Sequence, residues 1–197
     1  MDETAGVDSG APPPVTPGSL SKPNWAAFTL ICLAYFVTTT GEQMLSPLFP
    51  VVADDLGLSV TQGGIAFAVL TGTIAATNLV GGAAMRRWAP AVLVRAAAVT
   101  GAAGAVVNAL SPGYAALLFG LLLLGAAAGL FFPAGLQGVG IAAGASKRGF
   151  AMGIYGVFFS LGLTAAAVLG ALGAGVGWRV PFWVAAALFA AAGVMTL

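Results

Sequence analysis

The sequence predicts an all-α integral membrane protein, a bundle of six transmembrane helices. Three observations carry this. Of 197 residues, 59% are hydrophobic and only 7% charged, against roughly 25% charged in a soluble domain, and the mean hydropathy is +1.01. The charges fall in clusters that leave 56–85, 96–146, 149–178 and 180–197 free of Asp, Glu, Lys and Arg. The apolar runs are continuous rather than alternating, which favours helices over the strands of a β-barrel.

A membrane-crossing helix needs about 20 apolar residues, and the elements follow in order. Residues 1–23 hold Asp2, Glu3, Asp8, Lys22 and five prolines with almost no large apolar side chain, the composition of a disordered tail. Their acidic start and the late apolar onset do not match a secretory signal. From Asn24 to Ala53 the sole charge is Glu42, giving a first span at about 25–52. The second is expected at 60–85, closed by Arg86 and Arg87. The uncharged stretch 96–146 is too long for one crossing, and Ser111-Pro112-Gly113 is a turn signal. It divides the third span (91–110) from the fourth (114–141). Lys147 and Arg148 precede a fifth at 149–174, and Arg179 precedes a sixth at 180–197. Residues 24–197 thus read as one transmembrane domain.

Six crossings gather Lys22, Arg86, Arg87, Arg95, Lys147 and Arg148 on one side. Arg179 lies on the other, with Asp54 and Asp55. By the positive-inside rule the N-terminus is cytoplasmic, and a cell membrane is the expected location. After Val194-Met195-Thr196-Leu197 there is no basic flank, so a longer parent or a covering partner is expected at that end.

The composition excludes several function classes. There is no histidine, which removes His-ligated metal sites and His-dependent triads. The lone Cys32 cannot form an internal disulfide or a zinc site and reads as a small packing residue. No phosphate-cradling or nucleophile-elbow motif is present. A net charge of +1 offers no basic surface for nucleic acid. No enzyme activity, cofactor or metal is expected.

Glu42 is the outstanding functional candidate, because an ionisable group at membrane depth is costly and normally faces a cavity or a partner. Tyr35, Thr39, Glu42 and Ser46 recur at helical spacing, flanked by Thr38 and Gln43. They form a polar stripe suited to a water-filled path. Asn78, Gln137 and Tyr155, on the second, fourth and fifth spans, are further candidates for a substrate or proton site, though polar amides also glue membrane helices together. Pro47, Pro50 and Pro133 are expected to interrupt helices, with a bend in the fourth span at Pro133. Gly125-Ala-Ala-Ala-Gly129, Gly153…Gly156 and Gly170…Gly173 are small-residue runs that let helices approach closely.

Three stretches resemble the N-terminal half of a major facilitator superfamily transporter. Gly81-Gly-Ala-Ala-Met85-Arg86-Arg87-Trp88-Ala-Pro-Ala-Val-Leu93 resembles the family's second-to-third-span loop signature at Gly81, Arg86 and Leu93. It departs from that signature at Met85, where an acid is usual, and at Trp88, where a glycine is. Gly177-Trp178-Arg179-Val180-Pro181-Phe182 resembles the family's entry into the sixth helix. Pro47-Leu-Phe-Pro50-Val-Val52 ahead of Asp55-Leu-Gly57 resembles the end of the first helix and its outer loop. Leu121 stands where proton-coupled members often carry arginine, and Ala171 follows Gly170 where antiporters often carry proline.

The resemblance implies half of a twelve-helix fold, built as a 3+3 inverted repeat, with the first helix bordering a central cavity. It implies a cytoplasmic gate at Gly81, Arg86 and Arg87, and a peripheral third span, which sets Asn108 aside. The expected function is a secondary active transporter, or half of one, moving a small molecule by alternating access, with export of a hydrophobic drug-like solute favoured. The alternative is a non-transporting membrane subunit or a truncated, inactive fragment. Expected partners are a small-molecule substrate, the lipid bilayer, and a second half or a second copy.

Overall fold

The computed structural model describes residues 23–195. The tail expected to be disordered at 1–23 lies, but for Pro23, outside the described residues, as do Thr196 and Leu197. Within them every regular element is helical: α1 (Trp25–Gln43), α2 (Leu45–Leu56), α3 (Val60–Ala84), α4 (Pro90–Ala109), α5 (Tyr114–Ala143), a 3-10 turn (Ala145–Lys147), α6 (Arg148–Val176) and α7 (Arg179–Met195). Four stretches are long and apolar enough by themselves to cross a bilayer: Val60–Ala84, Pro90–Ala109, Tyr114–Ala143 and Ala145–Val176. Arg179–Met195 is apolar but shorter.

The stretch expected as one first span divides at Met44. Pro47 explains the break: it has no N–H for the Gln43 carbonyl, and its ring crowds that same oxygen. The path stays helical across the junction, because Met44 N–H donates to Thr40 O (3.2 Å) and Leu48 N–H donates to Met44 O (3.3 Å). Pro133 behaves differently, since α5 runs through it as one helix. The Gly129 carbonyl that Pro133 leaves without its usual donor faces Gly81 of α3.

Helix ends follow local chemistry. Asn24 Oδ1 caps α1 by accepting from Ala27 N–H at 3.0 Å. Ser59 and Gln62 form a reciprocal capping box at the start of α3. Gly57 ends α2 at φ +62°, a left-handed position that glycine adopts at little cost. Pro90 opens α4, where a missing N–H is harmless.

Successive helices run between two ends of the bundle. At one, Asn24 N–H donates to Ala142 O (2.8 Å), and Lys147 Nζ lies 5.4 Å from the Trp25 ring centroid. At the other, Tyr114 Oη donates to Gln62 O (2.8 Å), and Arg179 reaches both Asp55 and Ser111. Two apolar cores fill the interior, one around Phe28, Cys32, Leu93 and Phe131, the other around Met44, Leu48, Leu121, Phe182 and Phe189. Phe189 is wedged between glycines of α1 and α4: a Cβ at Gly41 or at Gly101 would stand 2.6 or 2.5 Å from its ring. Large apolar side chains such as Leu79, Val99, Phe119 and Phe150 remain exposed, as an outer surface in lipid requires.

Candidate functional site

The site grows from the polar C-terminal half of α1, held against α6 by a close backbone approach. A Cβ at Gly162 would stand 2.9 Å from Thr39 Cβ and 3.0 Å from Phe36 O, so only glycine fits without a shift. Thr40 Oγ1 donates to Phe36 O (2.8 Å) and lies 3.3 Å from Gly162 O. Thr38 Oγ1 donates to Ala34 O at 2.8 Å. The Thr39 hydroxyl is fully buried and has no hydrogen-bond partner among the described residues, an unusual state for a buried polar atom.

One turn before Thr39, Tyr35 enters an aromatic cluster shared by α1, α5 and α6. Its ring stacks on Tyr155 at 4.0 Å between centroids and 13° between planes. It also stacks on Phe131 (5.7 Å) and Phe159 (5.6 Å) and meets Phe132 edge-on (6.1 Å). Gly135 gives Tyr155 its room, since a Cβ there would stand 2.7 Å from the phenol oxygen.

Glu42 lies seven residues past Tyr35, two helical turns along the same face. It is partly buried. Gln43 Nε2 donates to its Oε1 at 2.9 Å, and no cation pairs with it among the described residues. Such a carboxylate can hold a proton or meet a cationic group, and the aromatic cluster around Tyr35 lies two turns away along the same helix.

The structure brings Tyr35, Thr39 and Glu42 onto one helix face and joins Tyr155 to Tyr35. Asn78 and Gln137 stand apart from that cluster. Both side chains are exposed, and neither hydrogen-bonds within the described residues, so neither acts there as interhelical glue. Gly81 is buried against α5: a Cβ would stand 3.2 Å from Gly129 O and from Pro133 Cγ. Arg86 and Arg87 are exposed and form no ion pair among the described residues, in keeping with Met85 at the position where an acid would stand. Asn108, set aside on the resemblance, is the most deeply buried side-chain amide among the described residues; it packs against Gly120, and neither of its side-chain polar atoms has a hydrogen-bond partner among them.

A second polar cluster went unread in the sequence. At the far end of the bundle Asp55 Oδ2 accepts from Trp178 Nε1 (2.8 Å) and Arg179 Nη1 (3.0 Å). Arg179 Nη2 also donates to Ser111 O (3.1 Å), and the guanidinium carbon lies 4.1 Å from the Trp178 ring centroid. These bonds tie the ends of α2, α4 and α7 together. The Trp178 N–H, and then the Arg179 guanidinium, hold the Asp55 carboxyl below its usual range. The available signal was the Gly-Trp-Arg triplet, whose acidic partner lies 123 and 124 residues away.

Comparison with known proteins places this architecture. The sequence profile of the Major Facilitator Superfamily matches residues 31–197. A relative from Cupriavidus necator, "Probable sulfoacetate transporter SauU", is 26% identical over 161 residues, covering 81% of this chain and 37% of that protein. Two crystal structures of a bacterial homologue of the human lysosomal transporter Spinster, both inward-facing, share the fold. The occupied form superposes with a TM-score of 0.77 at 14% identity, covering 89% of this chain and 44% of that one. The unoccupied form gives 0.72 at 15% identity, with 89% and 42% covered. The chain spans less than half the length of these relatives.

Proposed function

This chain belongs to the Major Facilitator Superfamily, and we propose that it is one half of a secondary active transporter that moves a small molecule across the cell membrane by alternating access. The observation that carries this reading is Glu42, a carboxylate with no cationic partner among the described residues, on a face shared with Tyr35 and Thr39, two turns from the stacked Tyr35 and Tyr155. In the proposed topology α1 with α2, then α3, α4, α5, α6 and α7, make six crossings, and the Lys/Arg bias puts the N-terminus in the cytoplasm. Half a bundle offers one wall of a central cavity, so a second half or a second copy supplies the other.

The favoured cargo is a hydrophobic, drug-like solute, best with a cationic centre, moved outward. Aromatic faces and one carboxylate suit such a molecule. The named Cupriavidus relative favours a second reading, an organic anion. Against it, every Lys and Arg of α3–α7 stands within a few residues of a helix end, and none flanks Glu42. The test is flux in vesicles reconstituted with the chain, comparing a lipophilic cation with sulfoacetate, for wild type and Glu42→Gln. The reading predicts cation flux that Glu42→Gln abolishes or uncouples from the proton gradient. Wild-type rate, pH dependence and substrate range in Glu42→Gln would remove Glu42 from the mechanism. A folded chain that moves neither solute, alone or with a second half, would instead be a non-transporting subunit.

A further inference from the structure

The geometry points to a binding site for an anionic phospholipid at the N-terminal end of the bundle, its acyl chain in a cavity between α1, α4 and α5 and its phosphate beside Lys147 and Arg148. The cavity holds about 470 Å³ and takes its lining from Asn24–Ile31, Ala89–Val94 and Ala134–Ala142. That volume falls in the usual range of ligand sites, roughly 300–1,000 Å³. It exists because the facing residues are small: Ala27, Pro90, Ala91, Ala134 and Gly138 leave space that larger side chains would fill. The one polar side chain in the lining is Asn24, whose carbonyl oxygen is already engaged in capping α1. Apolar cavities do not hold ordered water, and in a bilayer the apolar occupant at hand is a lipid tail. None of Tyr35, Thr39 or Glu42 lines this space, so it is separate from the proposed transport site.

Charge completes the argument. Lys147 sits over the ring of Trp25, next to lining residue Asn24. Arg148 Nε lies 3.4 Å from where a Cβ of Gly140 would stand, between lining residues Gly138 and Ile141. Arg86 and Arg87, at the same end of the bundle, line a separate pocket with Val80, Ala83 and Ala84. The acids among the described residues are Glu42, Asp54 and Asp55, and the last two lie at the opposite end. Lys147 and Arg148 therefore stand beside an apolar cavity with no acid near them among the described residues, and a basic pocket between membrane helices suits a lipid phosphate.

The test uses the full chain purified in detergent with equimolar phosphatidylglycerol and phosphatidylcholine, and native mass spectrometry to count retained lipid. Wild type should retain the anionic lipid in preference. Lys147→Gln with Arg148→Gln should cut that preference about fivefold per cation removed. Ala91→Trp or Ile141→Trp, at exposed lining positions, should lower retention of both lipids at least tenfold while helix content is unchanged; two positions guard against one variant failing to fold. Equal retention of the two lipids by wild type, or wild-type retention by both tryptophan variants, overturns the proposal. Release of the lipid by millimolar inorganic phosphate overturns it as well, because the acyl chain would then contribute nothing. The readout is independent of flux, so it stands or falls apart from the transport reading.

Discussion

Replacing Gly129 with alanine should force α3 away from α5. A Cβ at Gly129 would stand 2.6 Å from Ile74 O and 2.8 Å from Asn78 N, and would also collide with the Thr77 hydroxyl. Ordinary contact begins at 3.4 Å. Two of the three obstacles are backbone, which no rotamer change relieves, so the helices must part by about 0.8 Å, the difference between 3.4 and 2.6 Å. The same seam contains Gly125, whose Cβ would stand 2.7 Å from Leu70 O, and Gly81. Overpacking of this kind costs about 1–3 kcal/mol. Gly153 and Gly156 supply the control, since a Cβ at either meets nothing within 4 Å. Alanine there should be neutral, or stabilising by up to about 1 kcal/mol through helix propensity. Reversible unfolding of the purified chain in mixed micelles measures all three variants. If Gly129→Ala unfolds within about 0.5 kcal/mol of wild type, or no lower than Gly153→Ala, the account of α3 and α5 packing backbone to backbone is refuted.

Other predictions concern the aromatic cluster and the far-end ion pair. Tyr155→Phe should keep the stack on Tyr35. Tyr155→Leu should lose about 0.5–1.5 kcal/mol of ring–ring interaction, so a Leu variant as stable as the Phe variant in the same unfolding assay would contradict the stacking role. Because Asp55 is held below the usual carboxylate range, its bonds to Trp178 and Arg179 stabilise the folded chain at every pH above that range. They are lost only as pH falls through the lowered value. With Trp25, Trp88 and Trp183 replaced by Phe, Trp178 emission should hold steady from neutral to mildly acidic pH and shift red in strong acid. Asp55→Asn should show the shifted emission already at neutral pH; identical traces for the two proteins would exclude the ion pair as the tie between α2 and α7.

What the sequence made legible was whatever depends on neighbours along the chain. The stripe from Tyr35 to Glu42 could be read because helical spacing alone sets which residues share a face. The spans were bounded from charge, and the local signals at Asn24, Ser59, Gly57 and Pro90 that set the helix ends went unread. The break at Met44 was foreshadowed by Pro47, whereas Pro50 and Pro133, expected to interrupt in the same way, sit inside unbroken helices, Pro50 in α2 and Pro133 in α5 packed on Gly81. Facing between helices was not legible. Asn78 and Gln137 looked equal to Tyr155 as polar residues in apolar runs, yet only Tyr155 turns inward to Tyr35. Phe131 and Phe159 looked like generic apolar residues until packing set them beside Tyr35. Asp55 read as a loop charge because its partners are more than a hundred residues distant. Asn108 was set aside on a resemblance, and its burial against Gly120 depends on a neighbour that chain order does not reveal.

The central claim is that Glu42 lies on a wet internal wall within the membrane. Thiol accessibility tests it most directly. With Cys32 replaced by Ala, a single cysteine is placed at position 42 or, for comparison, at the exposed apolar position Val99 of α4. Intact vesicles are then treated with a membrane-impermeant maleimide. The account predicts modification of the Glu42→Cys protein and none of the Val99→Cys protein. A residue 42 as silent as residue 99 would contradict it.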